Sequence, residues 1–280
     1  MKKIGFVDYY ISEWHANNYP LWIKEAAEEL GKDIGIAYAW AELDKSPVDG
    51  RTTKEWCEAF GVEKCETIEE LCEKSDYIMI LSPSNPETHL KYAEKALKYG
   101  KNTYIDKTFA PDYETAKKIF DIAEKYGTKF FSTSALRCAT ENDAVKNCVS
   151  AIITGNGENF DEYIIHEIER LVKIMGIGAR RVKVENQTEA QICRVDYGNN
   201  KTATLVYSYS LPAAIDYCDA DGKRGYIKIE SDFFRILMRR IIEFYYNGKP
   251  FFDVNETLEV MKIREKLIEG KEKDGKWLSL

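Results

Sequence analysis

The stretch Tyr77-Ile78-Met79-Ile80-Leu81, then Asn85-Pro86-Glu87, a helical run closed by Gly100, and finally Asn102-Thr103-Tyr104-Ile105 reads as strand, helix, strand. Asn85 is the N-cap, Pro86 takes the first helical position, and Glu87 supplies first-turn negative charge against the helix dipole. Gly100 ends the helix as a left-handed cap. Two apolar strands joined through a helix make parallel neighbours with a right-handed crossover.

The same alternation extends outward in both directions. Lys3–Val7, Ile34–Trp40 and Lys129–Thr133 are further strand candidates. Thr67-Ile68-Glu69-Glu70 forms a capping box. Asp112 opens a helix whose apolar stripe is Ala116, Ile119, Ala123 and Tyr126, and Gly127 closes it. The first half is therefore a Rossmann-like, doubly wound parallel sheet.

Beyond Arg137 the pattern changes. A helix is expected over Glu141–Cys148, a strand near Val149–Thr154, and a long helix over Asp161–Met175. Strand-like runs follow at Arg181–Val184, Glu189–Asp196, Thr202–Ser208 and Gly225–Ile229, with hairpin turns at Gly198-Asn199-Asn200 and Asp221-Gly222. Helices over Ser231–Tyr246 and Val254–Glu269 and a short run Lys276–Leu280 complete the chain. The fold class is thus α/β, with a nucleotide-binding domain over 1–136 and, over 137–280, an α+β substrate and dimerisation domain built on an open, mainly antiparallel sheet.

Composition narrows the function. The 280 residues carry a formal net charge of −7, which repels phosphate backbones and argues against nucleic acid as a partner. No apolar run approaches the ~20 residues that span a bilayer. The apolar start Ile4–Val7 is cut short by Asp8 with no small-residue cleavage site after it, so a cytoplasmic location is expected. Seven cysteines, none in a C-x-x-C pair or at zinc spacing from one of the three histidines, read as reduced thiols with no metal site.

In an open parallel sheet, ligands bind beyond the carboxyl ends of the strands, which points to the loops after Asp8, Trp40, Leu81, Ile105 and Thr133. The first of these should carry Gly-x-Gly-x-x-Gly, where missing side chains let a pyrophosphate approach. Only Gly5 is present, with Val7 and Tyr10 in the other two places. Either a cofactor binds there in a shifted pose, or none binds. Glu42 or Asp44 after the second strand could hold an adenosine ribose, and an acid there favours NAD over NADP. The run Glu13-Trp14-His15-Ala16-Asn17-Asn18-Tyr19 is either a ligand-facing surface or a buried polar network capping the first helix.

Taken together, Tyr77–His89 with its Ser82-Pro83 loop, Ala93-Glu94-Lys95-Ala96-Leu97, Tyr104-Ile105-Asp106-Lys107-Thr108, and Glu162-x-x-x-His166-x-x-Glu169 resemble the Gfo/Idh/MocA oxidoreductases, in the same order along the chain. The resemblance implies hydride transfer between NAD or NADP and a hydroxyl-bearing carbon of a sugar, cyclitol or related polyol. It also implies a homodimer or dimer of dimers formed through the open sheet. Under it, Lys107 contacts substrate and tunes proton transfer, His166 exchanges the hydroxyl proton, and Glu162 assists His166. Ser82, Pro83 and Asn85 pass beneath the nicotinamide, with His89 orienting their loop. Gly5, Asp8, Tyr10, Glu42 and Asp106 are the remaining cofactor-side candidates, and Arg137 is a substrate-side one. Thr108 stands where the family has Pro.

Physical chemistry adds to this. Partial burial of a strand-end Lys107 beside a cofactor would lower its pKa, with Asp106 opposing. His166, ordinarily near pKa ~6.5, suits proton exchange at neutral pH. Glu162 and His166 lie four apart, on one helix face that Glu169 and Lys173 continue, and Ile164, Ile168, Leu171, Val172 and Met175 make the buried face. Without the family pattern, such a stripe is a solvated helix face. A relative that binds a nucleotide or sugar without turning it over is the alternative function.

Overall fold

The computed structural model describes residues 1–280 and divides into two compact units, residues 1–133 with 234–254 and residues 134–233 with 255–280. The first break falls close to the expected boundary. Residues 234–254, expected in the second domain, return to the first unit, so no single cut separates the two.

In the first unit the chain runs β1 (Lys2–Asp8), α1 (Trp14–Glu29), β2 (Ile34–Ala41), α2 (Thr53–Phe60), β3 (Glu63–Lys64) and α3 (Ile68–Lys74). It continues through β4 (Tyr77–Ile80), α4 (His89–Ala96), β5 (Thr103–Ile105), α5 (Tyr113–Tyr126) and β6 (Phe130–Phe131). The strand order is β3-β2-β1-β4-β5-β6 and every pairing is parallel. The order reverses between β1 and β4, the switch point at which such sheets bind ligands. Thr67 accepts from the Glu70 amide, Asp112 accepts from the Thr115 amide, and Gly100 and Gly127 are left-handed. Glu70 accepts from the Glu66 amide instead of closing the capping box, and Asn85 makes no side-chain cap bond to the 3-10 turn Pro86–Thr88 that precedes α4.

Gly5 lies in mid-strand beneath α3. A Cβ there would collide with the Leu71 side chain and Ser75 Oγ. This glycine lets a helix pack tightly on the sheet rather than a phosphate approach a turn, which corrects its expected cofactor role. From the returning segment, α8 (Phe233–Asn247; only Phe233 falls in the second unit) lays Tyr245 against Tyr77, with ring centroids 4.7 Å apart and planes 4° from parallel. Tyr245 Oη donates to the Ile78 carbonyl at 2.8 Å, and the Asn102 amide donates to the Tyr245 carbonyl at 3.0 Å.

The second unit carries β7 (Cys148–Asn156), α6 (Phe160–Tyr163), α7 (Ile165–Met175), β8 (Arg181–Asn186), β9 (Ala190–Gly198), β10 (Lys201–Ser208), β11 (Ala214–Asp219), β12 (Arg224–Lys228), α9 (Asn255–Lys271) and β13 (Trp277–Ser279). Its seven strands run in the order β12-β11-β7-β10-β9-β8-β13, antiparallel except for the β7–β10 pair. The expected helix over 141–148 is a 3-10 turn at Thr140–Ala144, because β7 claims the residues from Cys148 onward.

Register sorts the residues onto two faces. One row, Ile215, Ile153, Leu205, Cys193 and Val184, is wholly buried beneath α7 and α9. The opposite row, Tyr226, Asp216, Ile152, Thr204, Arg194, Lys183 and Trp277, lies across all seven strands on the outer face.

The helix expected as one piece over 161–175 is interrupted at Ile164, and α7 is buried nearly all round. Glu167 packs on Gly155 with no partner for either carboxylate oxygen, and burial raises its pKa from 4.5 to about 8. A folded-state pKa above the unfolded one means the native state keeps a proton that the unfolded chain releases. The contribution of Glu167 to stability is therefore fullest below about pH 4.5 and declines as pH climbs to about 8. Thermal denaturation between pH 5 and 8 should show this decline, and Glu167→Gln should flatten it. In the first unit, Gly5→Ala should cost about 1–3 kcal/mol through overpacking, measurable by urea unfolding.

Candidate active site

The carboxyl edge of the first sheet gathers acids. Asp8, the last residue of β1, is 1% exposed. Its Oδ1 accepts from the Tyr9 amide at 2.7 Å and the Ser82 amide at 3.1 Å, so it ties the end of β1 to the loop after β4 across the switch point. Its Oδ2 is buried without a partner, and burial with the nearby Glu13 charge pushes its pKa well above the carboxylate range. Ser82 has a φ of 57°, a left-handed conformation uncommon for a residue with a side chain. The Asp8 bond holds it there.

The turn from β1 to α1 runs from Tyr9 to Glu13 and contains no glycine. Glu13 caps α1: its Oε2 accepts from the His15 amide at 2.7 Å, and its Oε1 accepts from the Ala16 amide. Burial raises the Glu13 pKa. His15, one residue into the helix, pairs through Nδ1 with the Asp106 carboxylate and stacks on Tyr19 with ring centroids 4.9 Å apart. The run from Trp14 to Tyr19 is thus part of a buried polar and aromatic network.

Asp106, after β5, also accepts from the Lys107 amide at 2.8 Å and from Tyr104 Oη at 3.1 Å. Burial alone would raise its pKa, but His15 outweighs that and holds it below the usual value. Lys107 is 9% exposed. Glu42, just past β2, accepts from Lys91 Nζ at 2.6 Å and Tyr92 Oη at 2.8 Å, and the Lys91 hydrogen bond lowers its pKa. Tyr10 packs edge-on against Tyr9. Pro83 is buried and Asn85 half-buried, with the Asn85 amide donating to Glu87 at 3.0 Å. His89 is fully buried. Its Nε2 faces the Leu81 carbonyl at 2.5 Å and its Nδ1 faces the Phe109 carbonyl at 3.0 Å. It fastens the β4 loop to the segment after Lys107, a positioning role without ligand contact.

In the second unit, His166 Nδ1 lies 2.6 Å from Ser134 Oγ, and the Tyr163 ring meets the imidazole edge-on at 5.6 Å. Glu162 sits in α6 and contacts the Asn159 cap at 3.2 Å. Arg137, expected to reach substrate, is 1% exposed. It pairs with Glu169 at 3.0 Å and with Glu256. Glu169 is likewise a buried partner, 3% exposed, rather than part of a solvated stripe. Sequence reasoning placed Glu13 and Ser134 in candidate loops but gave neither a role of its own. Glu13 carries a weak signal, since glutamate is not a preferred N-cap.

A dinucleotide can be tested against this edge. Glu42 is an acid at the ribose position, already engaged by Lys91 and Tyr92. The pyrophosphate should take the amides at the start of α1, and those belong to Glu13. In this conformation the turn does not fit a pyrophosphate.

Residues 46–134 match the sequence model of the oxidoreductase family with an NAD-binding Rossmann fold, Gfo/Idh/MocA. Over that segment the chain is similar to the Gfo/Idh/MocA oxidoreductases. The matched segment includes the β4 loop and Lys107 and begins after the altered β1–α1 turn. No curated protein matches the chain in sequence. Among solved structures it is similar in fold to a "probable dehydrogenase from Thermotoga maritima" (TM-score 0.78, 13% identity, 99% of this chain and 98% of that one). GenD2 from gentamicin A biosynthesis, in complex with NAD, superimposes with a TM-score of 0.73 at 11% identity over 100% and 97% of the two chains. Biliverdin reductase from Synechocystis, in complex with biliverdin and NADP+, gives 0.69 at 15% identity over 97% and 98%. The family is one of NAD(P)-binding oxidoreductases. No helix of the chain is long and apolar enough to cross a membrane.

The Arg137 pairs carry a direct test. Arg137→Met leaves two carboxylates without their cation and should cost about 3–5 kcal/mol, read as a large drop in melting temperature. A melting temperature equal to wild type would mean that the arginine is not structural.

Proposed function

We propose that the chain is an NAD(P)-dependent oxidoreductase acting on a hydroxyl-bearing carbon of a sugar, cyclitol or similar polyol. The observation that carries the reading is the family match over 46–134, which takes in the Ser82-Pro83 loop and Lys107. The nicotinamide would supply the hydride acceptor or donor. The chain's own residues would handle the proton. Lys107 stands at a strand end next to a buried, ionised Asp106 that anchors its backbone amide. The Ser134 hydroxyl holds the His166 ring in one orientation, as acid–base exchange with a substrate hydroxyl requires. Glu162, whose carboxylate also engages the α6 cap, would assist His166. The outer face of the second sheet, with Ile152, Tyr226 and Trp277 exposed, would form a homodimer or, doubled, a dimer of dimers.

One observation favours a second reading. Glu13 on the α1 amides suits a relative that binds a small molecule without turning it over.

A panel of polyols and sugars with NAD+ and with NADP+, followed by absorbance of the reduced nicotinamide, tests the first reading. Lys107→Ala and His166→Ala should each lower turnover by about 10²–10⁴-fold while leaving the fold intact. Trp14 and Trp40 flank the β1 and β2 ends, so quenching of their fluorescence reports cofactor binding. Absence of turnover together with absence of NADH and NADPH binding up to millimolar levels would leave the second reading.

A further inference from the structure

We infer that Glu13 is a built-in anion standing in the seat of the cofactor's pyrophosphate, and that it determines how weakly this chain holds a dinucleotide; the inference rests on the NAD(P)-dependent reading above. In a Rossmann sheet the pyrophosphate lies at the start of the first helix because the unpaired amides there, and the positive end of the helix dipole, attract an anion. In this chain a carboxylate already collects that attraction. Glu13 accepts from both the His15 and the Ala16 amides.

The rest of the turn keeps Glu13 in place. The Glu13 amide donates to the Ile11 carbonyl at 3.0 Å, Ser12 Oγ donates to Asp49 at 2.7 Å, and Ser46 Oγ donates to the Ser12 carbonyl at 2.7 Å. With the backbone pinned on both sides, the side chain is what must leave for a phosphate to enter. Two further acids, Asp8 and Asp106, act electrostatically on Glu13 from the same edge. A pyrophosphate approaching the helix therefore meets like charge at short range, where the interaction is strongest. Unpartnered Asp8 Oδ2, buried at the end of β1, marks a place in this edge where a polar ligand atom would complete an unfilled bond. The feature sets specificity: the turn discriminates against phosphate and tolerates the phosphate-free portions of a nucleotide.

The test compares wild type with Glu13→Ser and Glu13→Gln in the full chain, by calorimetric titration with NADH and separately with adenosine, which has no phosphate. Serine is a good N-cap without charge or reach, so the helix keeps its cap and melting temperature reports that the fold is intact. NADH should bind Glu13→Ser about tenfold or more tightly than wild type. Glu13→Gln, which loses the charge but keeps the length, should gain less, and adenosine should change by less than about twofold. Saturable NADH binding that is equal in wild type and Glu13→Ser would overturn the role of Glu13 and leave the cofactor reading standing. Equal tightening of NADH and adenosine would also overturn it, since that signals a general opening rather than a phosphate effect. No NADH binding by either protein up to millimolar levels would overturn both the inference and the reading beneath it.

Discussion

The switch point of the first sheet depends on one buried carboxylate. Asp8 sits where β1 ends, and its hydrogen bond to the Ser82 amide reaches the loop beyond β4. Ser82 keeps a left-handed backbone only in this company. His89 then clamps the same loop to the segment after Lys107 through the Leu81 and Phe109 carbonyls. So the β1 end, the β4 loop and the Lys107 segment form one connected frame. A buried acid of this kind is costly unless its oxygens are satisfied or protonated. The raised pKa of Asp8 is the expected response to having only one oxygen bonded.

The neighbours extend the same logic. Three carboxylates share an edge that relatives of this fold devote to anion binding, and each finds a different solution. Asp106 has His15, Glu13 has the amides of α1, and Asp8 has the Tyr9 and Ser82 amides. The glycine-free turn follows from this arrangement. With Glu13 on the α1 amides, the turn has room for the bulky Tyr9 and Tyr10, and Gly5 serves the approach of α3.

Much of the fold was legible in the sequence because its signals are local. Strand–helix alternation, the caps at Thr67 and Asp112 and the terminal glycines depend on neighbours within a few residues, and they place β1, β2, β4, β5 and the helices α3, α4 and α5, though not α2. The two-residue β3 and β11 lack such signals: β3 is too short for a pattern, and β11 alternates too little around Asp216. The α7 stripe misled for a different reason. Glu169 looks solvated in sequence, but Arg137, 32 positions earlier, buries it in an ion pair. Among the candidates, Lys107, His166 and the Ser82-Pro83 loop could be proposed from resemblance. The chemistry of the first turn could not, because which anion caps a helix is decided by side-chain reach. Glutamate is seldom the residue that does it.

The return of residues 234–254 to the first unit sets the order in which the protein can mature on the ribosome. The first sheet emerges early, yet the Ile78 carbonyl, the Asn102 amide and the face of Tyr77 find their partners only when Tyr245 appears. Until then the nascent Rossmann layer carries an unfinished surface. Six of the second sheet's seven strands must be synthesised in the interval, so the domain that begins first closes only after most of the second has emerged.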